Sequence, residues 1–134
     1  VIINLTQHDA TPDQVAAGVV DLRGEELVRL RRFLTFEEIP SSGHIDDRAI
    51  SIAHLAIHNG LGGDDGENLH AHAAMIGGAP YLMASLEREL RELGVDPIYA
   101  FSLRQGVEEK QPDGSVKKTQ VFSHMGFVTP PASR

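Results

Sequence analysis

His72-Ala73-Ala74-Met75-Ile76-Gly77-Gly78-Ala79-Pro80-Tyr81-Leu82 is the stretch on which the fold turns. An apolar run of strand length ends in two glycines, and a proline stands where a helix can begin. Downstream, Leu82, Leu86, Leu90 and Leu93 recur at helical spacing with Tyr81 beside them. Glu87, Arg88, Glu89, Arg91 and Glu92 take the wet face of that helix. Gly94 stops it, and Pro97 to Leu103 reads as the next strand. Strand, helix and strand with short links imply a right-handed crossover and parallel pairing. The expected fold class is α/β, with a mostly parallel sheet flanked by helices.

Working outward, Val1 to Leu5 is a β-rich run interrupted by Asn4, and it ends in Thr6-Gln7-His8-Asp9. Thr11 then Pro12 is an N-cap followed by proline at the first helical position, and Gly18 keeps that helix short. Val19 to Leu22 predicts a second strand. Residues 24–34 predict a helix with an apolar stripe of Leu27, Val28, Leu30 and Leu34. Ser41-Ser42-Gly43 predicts a loop, and Asp46 or Asp47 a cap for a helix to about Asn59 carrying Ile50, Ala53, Leu55 and Ile57. Residues 60–66, rich in glycine and aspartate, predict a mobile surface loop. At the far end, Gln111-Pro112-Asp113-Gly114-Ser115 predicts a hairpin turn. Val116 to Phe122 then pairs back as an antiparallel C-terminal strand, and Phe127-Val128 extends it or ends the fold. One domain over residues 1–129 and a tail over 130–134 account for the chain.

The totals narrow the chemistry. The 134 residues contain no cysteine, which removes disulfides, thiolate metal sites and a cysteine nucleophile. No apolar run approaches a membrane span, and no signal-peptide pattern opens the chain, so a cytoplasmic protein is expected. The net charge of −7 argues against duplex DNA as a partner. That charge is uneven: residues 1–103 carry 7 Lys/Arg and 16 Asp/Glu, whereas residues 104–134 carry 5 and 3. An anionic ligand would draw positive charge from the last segment.

In α/β sheets ligands bind outside the carboxyl ends of the strands. Three segments are expected there: Thr6-Gln7-His8, Gly77-Gly78-Ala79, and Ser102-Leu103-Arg104. The glycines let backbone N–H groups approach a phosphate at a helix N-terminus, or they form only a tight turn. Arg104 can hold a phosphate in bidentate fashion, or belong to a solvated hairpin face. Glu108, His8 and His124 are candidates for proton transfer, with a structural role as the alternative for each. His54 and His58 stand four apart on a helix, and His70 and His72 follow, which keeps a metal-dependent hydrolase open. The first pair lacks the glutamate of a zinc-protease helix, and neither a nucleophile elbow nor a Walker-type loop is present.

Ile76-Gly77-Gly78-Ala79-Pro80-Tyr81-Leu82 and Pro97 to Arg104 resemble small CRISPR-associated Rossmann-fold (CARF-like) proteins, and most closely their stand-alone ring nucleases. Arg104 to Glu109, Asp113 to Lys118 and Val121 to Phe127 continue the likeness over roughly the last 60 residues. The resemblance implies a single Rossmann-like domain. It implies a homodimer that binds cyclic oligoadenylate, foremost the cyclic tetra-adenylate of type III CRISPR defence, and cleaves it without metal or other cofactor. The ribose 2′-hydroxyl would attack the adjacent phosphate, with Arg104 steadying it and His8, Glu108 or His124 moving protons. Thr6, Gln7, Gly77, Gly78, Ala79 and Ser102 would hold the ligand. A domain of the same fold that senses or sequesters the nucleotide without cutting it is the alternative.

Overall fold

The computed structural model describes residues 1–63 and 66–132. Asp64 and Asp65 of the expected loop, and Ser133 and Arg134 of the tail, lie outside the described residues. The chain is an α/β protein built on a mixed five-stranded sheet in the order β2-β1-β3-β4-β5. In chain order the elements are β1 (Ile2–Leu5), α1 (Pro12–Ala16), β2 (Val19–Asp21), α2 (Gly24–Leu34), α3 (Ser42–His54), β3 (Ala73–Ile76), α4 (Pro80–Glu92), β4 (Asp96–Lys110) and β5 (Val116–Val128). β1 pairs in parallel with β2 and β3, and β3 with β4, while β5 runs antiparallel to β4. The order changes direction between β1 and β3: the chain leaves β1 for β2 on one side, then crosses to β3 on the other.

Side-chain alternation along the strands sorts the core into two layers. Ile3, Leu5, Ala74 and Ile76 face Leu30, Leu34, Ile52, Leu82, Leu86 and Leu90 from α2, α3 and α4. Ile2, Val19, Ala73, Met75 and Ile98 face the other way, closed by the partly buried Ala10 and Phe127. β1 and β3 are buried on both faces, as strands inside a parallel sheet must be.

Several expected boundaries move. α3 begins at Ser42 rather than near Asp46, because the Ser41 hydroxyl caps it by accepting the His44 N–H at 3.1 Å. Its apolar face is Ile45, Ala49, Ile52 and Ala53, and Ile50 points outward. The helix ends at His54, short of Asn59. Tyr81, expected on the buried face of α4, is half exposed and meets the Phe36 ring edge-on at 5.4 Å. Val28 likewise lies outside the core stripe of α2.

The largest departure is the length of β4. It continues past the expected end at Leu103 to Lys110, while β5 starts at Val116 as expected and runs on to Val128, and the hairpin holds 12 residue pairs, from Tyr99 opposite Val128 to Lys110 opposite Val116. β3 supports β4 only over Asp96–Ile98. Beyond that point β4 and β5 leave the body as a two-stranded arm. Its polar residues are exposed on both faces, so burial did not mark them as strand. The cross-strand ladder holds them instead. The turn closes tightly: Gln111 N–H donates to Ser115 O at 2.7 Å, and Gly114 takes a positive φ of 87°. The Asp113 carboxylate accepts from the Ser115 hydroxyl and N–H, and these bonds hold its pKa below the ordinary carboxylate value. No helix among the described residues is long and apolar enough to cross a membrane.

Candidate functional site

A pocket of about 450 Å³ opens at the carboxyl ends of β1 and β3, beside the first half of β4, at the change of direction in strand order. Thr6, Gln7 and His8 line it from the end of β1, and Gly77 and Gly78 from the end of β3. Thr11 and Gln14 add the wall of α1, and Tyr99 and Ala100 form the far side where the arm begins.

The turn after β1 is built by Asn4, which interrupts an otherwise apolar strand. Asn4 is 4% exposed and uses its amide fully. Its Nδ2 donates to His8 O and to Asp21 Oδ1, both at 2.8 Å. Its Oδ1 accepts from the Thr6 N–H at 2.9 Å and the Thr6 hydroxyl at 2.7 Å. Asp21 in turn accepts the Ala10 N–H at 3.1 Å. One side chain therefore shapes residues 6–10 and ties β1 to β2. The wall of α1 is fixed by a reciprocal cap: Thr11 Oγ1 accepts from the Gln14 N–H, and Gln14 Oε1 accepts from the Thr11 N–H.

The two glycines after β3 differ. Gly78 has a φ of 144°, which side chains rarely adopt, so the turn itself requires it. Gly77 has no such constraint, and a Cβ there would meet Thr6 Cγ2 at an ordinary 3.7 Å. Ala79 is the N-cap residue of α4 and offers no side-chain cap, leaving that helix end uncapped behind the glycines. Ala79 itself does not line the pocket.

Tyr99 belongs to the pocket lining, but its side chain packs against the helical core and its hydroxyl donates to Glu87 Oε2 on α4 at 2.6 Å. Burial first, then the bond to Glu87 and its negative charge, push the phenol pKa well above its ordinary value, against a smaller opposing effect of Arg91. The hydroxyl stays protonated and committed to Glu87. Arg91 lies 3.7 Å from Glu87 Oε1 and donates to Pro130 O at 2.8 Å, which docks the start of the expected tail onto α4.

Ser102 and Arg104 were expected at a strand end beside the pocket. β4 does not end there, so both lie within the arm. Alternation places Ala100, Ser102, Arg104 and Glu108 on one face of β4. The register places His124 opposite Ser102 and Phe122 opposite Arg104, with Met125 as the extra residue of a bulge. The Arg104 guanidinium lies 5.3 Å from the Phe122 ring centre, and the His124 ring meets Phe127 at 4.9 Å. His124 Nδ1 is buried without a hydrogen-bond partner among the described residues. Glu108 is exposed opposite Lys118, near the tip. The pocket wall thus continues from Ala100 onto an arm face that carries Ser102, His124 and Arg104. No lysine or arginine lines the pocket itself among the described residues.

The histidines raised as metal ligands do not assemble. The His54 and His58 rings stack 6.1 Å apart on the surface, with His54 Nδ1 on Ile50 O at 2.8 Å. No three histidine or carboxylate side chains converge as a metal site among the described residues.

A model of the uncharacterized protein MJ1673 family matches residues 1–128. The chain belongs to that family. No solved structure matches it. The match covers the arm through Val128, so the arm is part of the MJ1673 family domain and no appendage to it. Sequence reasoning had named Thr6, Gln7, His8, Gly77 and Gly78 and had passed over Tyr99, Gln14 and Asn4. The Thr11–Gln14 spacing of a capping box and the lone polar residue in β1 were the available signals.

Proposed function

We propose that the protein binds cyclic oligoadenylate, foremost cyclic tetra-adenylate, and cleaves it as a metal-independent ring nuclease of the CARF-like kind. The observation that carries this reading is the continuity of the pocket with the arm face bearing Ser102, His124 and Arg104. A volume of about 450 Å³ suits one nucleotide unit and is too small for a whole ring. The remainder of a ring has a polar, cationic face beside the pocket on which to lie. The strand order supports a Rossmann-like reading of the sheet with one antiparallel edge, and that fold binds ligands where the order changes direction.

In this reading one nucleotide sits against Gly77, between Thr6 and Ala100. The ribose 2′-oxygen attacks the adjacent phosphorus while its proton passes to a histidine, His8 or His124. The bond from phosphorus to the 5′-oxygen breaks, and that oxygen leaves with a proton from the other histidine. The products are a 2′,3′-cyclic phosphate and a 5′-hydroxyl, so no water or metal enters the balance. Arg104 neutralises charge that builds on the phosphoryl oxygens in the transition state. Glu108, opposite Lys118, lies too far along the arm for this step and has no part in it.

The test is chromatography of cyclic tri-, tetra- and hexa-adenylate incubated with the protein in EDTA. Linear products ending in a cyclic phosphate are expected. Arg104→Ala and His124→Ala are each expected to slow turnover by about 100-fold or more without lowering the melting temperature. Gly77→Ala is expected to keep the fold and lose binding, because only a ligand needs that space. Intact rings with a ligand-induced rise in melting temperature would make the protein a sensor. Intact rings with no shift would remove the ligand class.

A further inference from the structure

We propose that a second, cationic cleft beside the α2–α3 connection binds a phosphate dianion, either inorganic phosphate or the phosphate group of a small monoester. Arg31, Arg32 and Thr35 at the end of α2, with His44 and Arg48 from α3, line an open cleft of about 680 Å³. It shares no lining residue with the pocket at Gly77, so this inference stands whether or not the ligand reading holds. Residues 1–103 carry 7 Lys/Arg against 16 Asp/Glu, yet three of those 7 line this one cleft.

The arginines leave donors unused. Arg48 is half-buried, and its Nη1 donates to the carbonyl oxygens of Arg32 at 3.0 Å, Phe33 at 2.9 Å and Thr35 at 2.8 Å. Its guanidinium also lies 4.9 Å from the Phe36 ring centre. These contacts fix the plane of the fork, while Nη2 and Nε make no hydrogen bond among the described residues. A guanidinium already held in place loses little freedom when it takes a further partner. The Arg32 side chain makes no ion pair among the described residues. Arg31 reaches Asp9 Oδ1 only at 3.6 Å, too long for a hydrogen bond.

Local structure accounts for these residues singly. Arg31 and Arg32 lie in the last turn of α2, at the negative end of its dipole, and Arg48 satisfies carbonyls left over at that end. It does not account for three like charges around one space, which repel unless an anion lies between them. Glu37 and Glu38 also line the cleft, but both are exposed, and neither pairs with the three arginines among the described residues. They stand on the rim shared with an apolar groove of Phe36, Ile39, Pro40, Ile45 and Tyr81. Three guanidinium charges against two carboxylates leave the cleft positive. Phosphate oxygens can accept paired N–H bonds from one guanidinium and further bonds from its neighbours, which suits this arrangement. A compact dianion needs only this local charge, whereas a long nucleic acid would meet the acidic remainder of the body.

Calorimetric titration of the full chain with inorganic phosphate and with phenyl phosphate, at constant ionic strength in chloride, tests the proposal. Saturable binding is expected, with a matching rise in melting temperature. Arg32→Gln is expected to weaken it about tenfold or more, because charge-assisted bonds are lost. Arg48→Lys keeps the charge but loses the fork, and a similar loss is expected. Arg48 also holds the end of α2, so the exposed Arg32 decides the matter if the Arg48 variant does not fold. Arg29→Gln, on α2 outside the cleft, is expected to bind like the wild type. Tighter binding of phenyl phosphate would identify a monoester whose apolar group reaches the adjoining groove, and equal binding would identify phosphate itself; both support the site. Absence of saturable binding by either probe would overturn the proposal. So would an Arg32→Gln variant that binds like the wild type, or an Arg29→Gln variant that loses as much as Arg32→Gln.

Discussion

Asn4 shows how much one polar residue in an apolar strand can determine. It is buried, and all of its amide hydrogen-bonding capacity is used on the turn that lines the pocket and on Asp21. Asn4→Ala leaves the His8 carbonyl, the Thr6 N–H and the Asp21 carboxylate short of a partner in a partly buried place. We expect a loss of about 3 kcal/mol in urea unfolding, since each unsatisfied buried group costs ~1–3 kcal/mol. Asn4→Asp keeps the shape and the acceptors for Thr6 but loses both donated bonds. It also sets a second carboxylate beside Asp21, so it should be no more stable than Asn4→Ala. An equal or higher stability for the Asp variant would mean that the amide donors contribute little. The strand interruption was visible in the sequence, but nothing in the spacing named Asp21 and His8 as its partners. Contacts between residues 17 apart form only when β1 and β2 are already side by side.

At the level of elements, legibility followed burial. β1, β3 and α4 were readable because each buries an apolar face whose period is 2 or 3.6, and the Thr11, Pro80 and Asp113-Gly114 signals marked their neighbours. The start of α3 was misplaced because Ser41 and Asp46 are both credible caps, and only the inward positions of Ile45 and Ala49 choose between them. Val116 to Phe122 was readable from its alternation behind the Asp113-Gly114 turn, but the outer half of β4 was not, because it buries nothing. That misreading placed Arg104 at a strand end, when it lies on a face that the pocket wall extends. Where β4 passes α4, the Tyr99–Glu87 bond joins the two elements, and its contribution depends on pH. The folded phenol is held above its ordinary value of about 10, so the fold favours the protonated form. The stabilisation is fully present below about pH 10 and falls as pH rises toward the folded value. Tyr99→Phe should cost about 1 kcal/mol near pH 8, and the wild-type advantage should shrink by about pH 11. Tyr81, the one other tyrosine, is exposed and common to both proteins, so it cancels in the comparison. An advantage that stays constant across that range would show that the hydroxyl is not held by Glu87.

For the whole molecule, stability should be distributed as unevenly as burial. The β1–β3 core is closed on both sides, whereas the arm has neighbours only across its own ladder. Amide exchange measures this difference directly, because protection reports the free energy of local opening. In dilute protein, amides of β1, β3 and α4 should be the slowest to exchange. Those of residues 103–110 and 116–123 should exchange orders of magnitude faster, since a lone ribbon opens without disturbing the core. An arm already protected as well as the core in dilute solution would show that its cross-strand ladder alone is as stable as the body, and burial would then not be what sets the local stability of this fold.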